Sequence, residues 1–184
     1  MKAFFSPRLH ILVLAALLVA GCSKNSSNPA EDTDHAAITT ILLQFKQAGV
    51  TRFEFGFDDP DGDGGNSPIR FDNIVLPRGQ VYQVDVVLQN KVSGTVKDMT
   101  AVIRDAGRFH EFFFLPSGVA VDVVKNDRDM LGFPLGLQST WTTPAVAGSG
   151  KMKVTLQHLL VKKAVNQPTD GHSDINVDFN IQIN

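Results

Sequence analysis

Two groups of polar residues in this sequence have the chemistry to hold a metal ion, and the denser group spans residues 59–66. Carboxylates occupy alternate positions there, and the glycine after the third one stands where a calcium-binding loop turns sharply. Hard oxygen ligands at this spacing are what Ca²⁺ requires. The pattern fails at its twelfth position, where Arg70 replaces the bidentate glutamate. The candidate calcium ligands are Asp59, Asp61, Asp63 and Asn66; an ordinary turn rich in Asp and Gly is the alternative.

The second group consists of three histidines and one aspartate, which are His110, His158, His172 and Asp174. In a strand, His110 shares a face with two phenylalanines, and His158 continues a row of inward-facing apolar residues. Imidazole nitrogens with a carboxylate suit Zn²⁺ or Cu²⁺, and protonation below about pH 6.5 releases such an ion. A lone histidine on an apolar face is otherwise a core residue. The sequence therefore favours calcium at the acidic loop, whose ligands are local, over zinc or copper at histidines that only the fold can bring together.

Nothing in the sequence supports nucleophilic catalysis, so we expect no enzyme. There is no Gly-x-Ser-x-Gly elbow. The glycines at 62–65 lack both the lysine and the strand–helix context of a phosphate-binding loop. The only cysteine, Cys22, is assigned to lipidation below.

The elements that must position these residues are strands. Apolar and polar residues alternate strictly in several segments, including 51–57, 81–88, 152–156 and 175–183. Residues 71–76 predict one short strand, and 119–123 and 135–141 predict two more. Eight or nine short strands separated by turns indicate an all-β fold, an antiparallel β-sandwich. Residues 109–115 are apolar on both faces, which predicts a central strand.

One helix interrupts this pattern, at about residues 98–106. Met99, Val102 and Ile103 follow the spacing of one helical face. Asp98 is placed to cap its start and Gly107 its end. We expect this helix to lie across an open end of the sheets.

The N-terminal residues predict a lipoprotein. Lys2 and Arg8 precede an apolar run of about a dozen residues, which suits a signal peptide and is too short to span a bilayer. Small residues then lead to Cys22, the predicted site of lipidation. Each buried CH₂ of its acyl chains adds about 0.8 kcal/mol of membrane affinity, so the anchor should be stable. Since Ser23, not aspartate, follows the cysteine, we expect the outer membrane, on a face the sequence does not specify.

The expected organisation is a signal peptide at 1–21, a flexible tether at 22–35 and one β-sandwich domain at 36–184. Removal of the signal peptide leaves 163 of the 184 residues. It also changes the net charge from −2 to −4, because two basic residues and no acidic ones leave with it. A net negative charge without a basic patch argues against nucleic acid as a partner.

From Phe53 onward, the layout resembles a family of small Bacteroidota outer-membrane lipoproteins that are often encoded near TonB-dependent receptors. The shared features are the 61–66 loop, the helix leading to His110, and the segments 134–137, 155–158 and 171–175. One departure is the helix at 100–105, which lacks the acid-rich sequence of the family. Some members are labelled as a type 1 periplasmic-binding fold, but a chain this short and rich in strand cannot build two α/β lobes.

The resemblance implies a binding lipoprotein that assists a TonB-dependent receptor in uptake across the outer membrane. The alternative is a structural or interaction lipoprotein of the envelope that binds no small ligand.

Overall fold

The computed structural model describes residue 1 and residues 38–62, 65–92 and 94–184. The predicted signal peptide, Cys22 and the predicted tether lie outside these residues, as does Asp63 of the acidic loop. No helix within the described ranges is long and apolar enough to cross a membrane.

The fold is all-β, with two sheets that enclose one hydrophobic core. Eleven strands form in the described part of the chain, rather than the eight or nine expected. They are β1 (Thr40–Gln47), β2 (Val50–Asp58), β3 (Arg70–Phe71), β4 (Ile74–Leu76), β5 (Val81–Val92), β6 (Thr95–Asp98), β7 (His110–Ser117), β8 (Asp122–Lys125), β9 (Gln138–Thr142), β10 (Gly148–His158) and β11 (His172–Ile183).

The larger sheet has the strand order β3-β2-β1-β5-β9-β8, and β6 pairs with the end of β5. The smaller sheet has the order β4-β11-β10-β7. All pairs are antiparallel except β4 with β11, which are parallel. This arrangement confirms the predicted β-sandwich.

Large aromatic side chains join the two sheets. Trp141 of β9 is fully buried and makes edge contacts with Phe45 of β1 and Phe114 of β7, at ring-centroid distances of 5.1 and 5.5 Å. Its indole N–H donates to the hydroxyl of Ser139 at 2.9 Å, so the polar atom is satisfied inside the core. The contact with Phe114 fixes the smaller sheet, which carries the histidines, against the larger one.

Two sequence predictions about strands were wrong. The segment 71–76 is not one strand, because the chain leaves the larger sheet after Phe71 and enters the smaller one at Ile74. Asp72 directs this change, since its carboxylate accepts hydrogen bonds from the backbone N–H of Gly56 and from Arg70. The strand predicted at 119–123 is displaced toward the C-terminus, because β8 begins only at Asp122 and ends at Lys125.

The apolar strand β7 lies at an edge of the smaller sheet rather than at its centre. It pairs with β10 on one side only. On the other side, the backbone N–H of Phe112 donates to the carbonyl of Leu135 at 2.7 Å. The opposite face is apolar because loops cover it, not because strands flank it.

The helix α1 covers residues Thr100–Asp105, shorter at both ends than predicted. Met99 is the capping residue, and the predicted cap Asp98 instead accepts a hydrogen bond from the N–H of Thr100 at 2.8 Å. Gly107 does not end the helix but begins a 3-10 helix, Gly107–Phe109, which leads into β7. Because Met99 and Ile103 are fully buried, α1 is fixed to the core and determines where β7 begins, at His110.

Candidate metal centre

Three histidines lie in one row across the smaller sheet. The register pairs His158 of β10 with His110 of β7 on one side and with His172 of β11 on the other. Directly opposed residues in antiparallel strands point to the same face. The ring centroids of His110 and His158 are 4.6 Å apart, and those of His158 and His172 are 4.9 Å apart. The fold thus brings together the imidazoles that the sequence separates.

A β-bulge adds Asp174 to this row. Leu156 pairs with Ile175 and Gln157 pairs with Ser173, so the register passes over Asp174. The alternation of β11 predicts an outward-facing aspartate, but its side chain is only 8% exposed. Bulges redirect side chains in this way and are common beside functional sites. The extra residue turns the Asp174 carboxylate toward His110.

His110, His158 and Asp174 form a group with the dimensions of a metal site. Their nearest nitrogen and oxygen atoms all lie within 4.8 Å of one another. His110 Nε2 and Asp174 Oδ2 are 3.2 Å apart. A tetrahedral ion with bonds of about 2.1 Å holds its ligand atoms about 3.4 Å apart, so small side-chain rotations close the remaining gap.

The orientation of His110 is fixed by its other nitrogen. Nδ1 lies 2.9 Å from the carbonyl oxygen of Ala106. A carbonyl oxygen only accepts, so Nδ1 carries the hydrogen and Nε2 of the neutral ring presents its lone pair to the Asp174 carboxylate. A lone pair facing a carboxylate is repulsive unless a cation, either a proton or a metal ion, lies between them. A histidine that donates to a carbonyl while its second nitrogen faces a ligand set is the usual arrangement at metal sites.

His172 stands at the rim of the group. Its side chain is 68% exposed, and Nε2 lies 3.8 Å from Asp174 Oδ1. Its ring stacks on His158, which in turn stacks against Phe109. Of the four predicted transition-metal ligands, three therefore converge, and the fourth lies beside them in solvent.

A buried lysine holds the backbone that leads into β7. The ammonium of Lys162 donates to the carbonyls of Gly107 and His110, at 2.9 and 2.7 Å, and contacts Asp129 Oδ2 at 3.1 Å. The side chains of Lys162 and Asp129 are both 1% exposed. Burial lowers the pKa of Lys162, and the Asp129 carboxylate offsets part of that effect.

Asp129 is itself well stabilised as an anion. Burial by itself would raise its pKa, but the N–H of Phe133, the Lys162 ammonium and the N–H of Leu131 together keep the pKa below its ordinary value. Nearby, Glu111 bonds to Lys125 and to the Asn166 side chain. These contacts fasten the connection between β10 and β11 to the start of β7.

Gly171 closes that connection immediately before His172. Its φ is +77°, and a β-carbon there would overlap with the carbonyl group of His158. Only glycine satisfies both conditions. The close approach of the two strand ends keeps His172 opposite His158.

The acidic loop has a different character. Asp61 accepts hydrogen bonds from the backbone N–H and the side-chain amide of Asn66, at 2.8 and 2.6 Å, and these bonds lower its pKa. Two of the four predicted calcium ligands are thus bonded to each other in a turn. Asp59 is buried, with 8% exposure. Because Asp63 lies outside the described residues, the calcium site stays a prediction.

The acidic loop and Asp174 of the candidate metal site border the same cleft. This cleft, about 240 Å³ in volume, opens between the two sheets where β1 and β11 begin. Asp59 lines this cleft, and so do Ser173 and Asp174.

Sequence reasoning found the histidines but missed what supports them. Lys162 is followed by a second lysine, Lys163, and paired lysines in a loop predict solvated side chains, so nothing in the sequence indicated that Lys162 is buried. The tautomer of His110 depends on the carbonyl oxygen of Ala106. The apolar periodicity places Ala106 in the helix but does not predict this contact. The bulge at Asp174 depends on a register set by two strands far apart in sequence.

Comparison with protein-family models, with curated proteins and with solved structures found no match to this chain. The resemblance to outer-membrane lipoproteins therefore stays a prediction.

Proposed function

We propose that this protein is a lipid-anchored binding protein of the cell envelope, without enzymatic activity, that holds a divalent transition-metal ion. The ligands are His110, His158 and Asp174, and His172 lies close enough to complete the set. An ion between them would accept the lone pair of His110 Nε2 and offset the charge of the Asp174 carboxylate. Imidazole ligands favour Zn²⁺ or Cu²⁺ over calcium.

The single observation that carries this proposal is the convergence of the three side chains. They come from three strands and reach one point within 4.8 Å of one another. His110 is fully buried, and the side chain of Asp174 is only 8% exposed. A cation bound by all three side chains would offset the cost of burying the Asp174 carboxylate.

The cellular setting follows from the sequence. Lipidation at Cys22 would place the domain at the outer membrane, and the resemblance suggests an accessory role for a TonB-dependent receptor. In that role the ion is either the transported substrate or part of the surface that recognises it. Incorporation of labelled palmitate that is lost in Cys22→Ser tests the anchor. Isolation of a receptor with the protein from crosslinked outer membranes tests the role.

Thermal unfolding of the mature chain in detergent tests the metal site. An ion that binds only the folded state, at about 100 times its Kd, adds about 2.7 kcal/mol to the free energy of unfolding. For a domain of this size the melting temperature should rise by roughly 5–10 °C. We expect this rise with Zn²⁺ or Cu²⁺, and its loss in His158→Ala and Asp174→Asn.

Asp178→Asn is the matched control, because Asp178 lies on the same strand and its side chain is 52% exposed. It should retain the full metal-dependent rise. A melting temperature that no divalent ion or chelator changes would refute metal binding and favour the structural or interaction role. A rise with Ca²⁺ alone that disappears in the double variant Asp61→Ala, Asp63→Ala would assign the ion to the acidic loop instead.

A further inference from the structure

Two loops at the metal-site end of the domain expose large apolar side chains. In residues 128–132 these are Met130 and Leu131, with 82% and 62% exposure. In residues 160–165 they are Leu160, Val161 and Val165, with 84%, 73% and 76% exposure. We call these two segments together the apolar loop surface. A group of exposed apolar side chains on adjacent loops marks an interaction surface.

An internal ion pair joins the two loops. Lys162, in the middle of one, contacts Asp129, in the middle of the other, and both side chains face inward. The only acidic residue in the two segments is thereby removed from the surface, while Arg128 and Lys163 remain exposed. What the apolar loop surface offers outward is therefore apolar and cationic. This combination suits the boundary between acyl chains and anionic lipid head groups.

The chain enters the domain at this same end. Ile38 lies in the cleft beside Ser173 and Asp174, where β11 begins, and β10 ends at His158 close by. Fifteen residues separate Ile38 from Cys22. Fully extended, they span at most roughly 55 Å, which limits the distance between a lipid on Cys22 and this end of the domain.

We propose that the apolar loop surface docks on the lipid bilayer to which the chain is anchored. This inference depends on the lipid anchor of the proposed function and not on the metal site. Leu160, Val161 and Val165 enter the interface, and Lys163 and Arg128 contact anionic head groups. The acyl chains on Cys22 would hold the chain at the bilayer without fixing the rotation of the domain, so the docked loops add an orientation that the anchor alone lacks.

Site-specific fluorescence on the lipidated protein tests this proposal. The lipid consumes Cys22, so one introduced cysteine is the only thiol available to an environment-sensitive dye. The test variants are Val161→Cys and Val165→Cys. The control is Val146→Cys, because Val146 is equally exposed at 75% and precedes β10 at the opposite end of the domain.

The labelled proteins are reconstituted in vesicles of phosphatidylethanolamine and phosphatidylglycerol, with and without brominated lipid. We expect the bromine to quench the dye at both test positions at least threefold more than at Val146. Equal quenching at all three positions, or none at any, overturns the docking while leaving the anchor in place, and points to a protein partner for this surface. Chains that do not float with the vesicles overturn both the anchor and the docking.

Discussion

Replacing Lys162 by methionine should destabilise the domain more than any surface substitution. The methionine keeps the apolar stem but removes the ammonium from two carbonyls and a carboxylate, each within 3.1 Å. Removing one partner of a buried ion pair lowers the free energy of unfolding by about 3–5 kcal/mol, because the other charge stays buried without it. For a domain of this size the melting temperature should fall by roughly 6–20 °C. Unfolding in urea is followed through Trp141, the only tryptophan in the chain.

The chain offers a matched control at the next position. Lys163 is exposed, so Lys163→Met removes the same charge from the same loop and should change the free energy of unfolding by at most about 0.5 kcal/mol. Asp129→Asn completes a double-mutant cycle, because the amide oxygen can still accept the N–H bonds of Leu131 and Phe133. The free energy of unfolding lost in the double variant should be at least about 1 kcal/mol smaller than the sum of the losses in the two single variants.

Two results would refute this reasoning. One is a Lys162→Met variant whose free energy of unfolding lies within about 1 kcal/mol of that of Lys163→Met. The other is additivity in the cycle, which would mean that the ammonium of Lys162 and the carboxylate of Asp129 do not stabilise each other.

Three further predictions concern the pKa of Lys162, the turn at Gly171 and the indole of Trp141. Because the folded state lowers the pKa of Lys162 below 10.5, the unfolded chain binds more protons just below that pH. The free energy of unfolding of the natural chain, relative to that of Lys162→Met, should therefore rise with pH in that window. Urea unfolding measures this difference, and a difference that does not change with pH would contradict the prediction. Gly171→Ala should cost about 2 kcal/mol more in urea unfolding than Gly49→Ala, because the two glycines have φ of +77° and +76° but only the first is crowded. Ser139→Ala leaves the indole N–H of Trp141 buried without its acceptor, so we expect a loss of about 1–3 kcal/mol, and an unchanged urea midpoint would show that another acceptor replaces the hydroxyl.

The sequence predicted what depends on neighbours along the chain. Alternation with period two identified most strands and placed His110 and His158 on the inward face, because a strand turns each successive side chain to the opposite side. The helical spacing around Met99 located α1 to within two residues at its start and one at its end. These signals are local, and the structure retains them.

What the sequence could not predict depends on pairing between distant segments. The bulge at Asp174 is visible only in the pairing of β10 with β11, where Leu156 faces Ile175 and Gln157 faces Ser173. The change of sheet between Phe71 and Ile74 depends on the bonds of Asp72 to another strand. The burial of Lys162 requires a cavity built by two loops and the end of a helix. None of these leaves a periodic signal in the residues concerned.

The row of histidines can form only late in folding. His110 and His158 are forty-eight positions apart, so they meet only after a non-local strand pair has closed, which is a slow step in β proteins. A slip of one residue between β7 and β10 would turn His110 to the opposite face and separate it from His158. An ion bound between them would therefore stabilise the correct alignment of the two strands and no other. Uptake of the ion during refolding would mark the moment at which β7 joins its sheet.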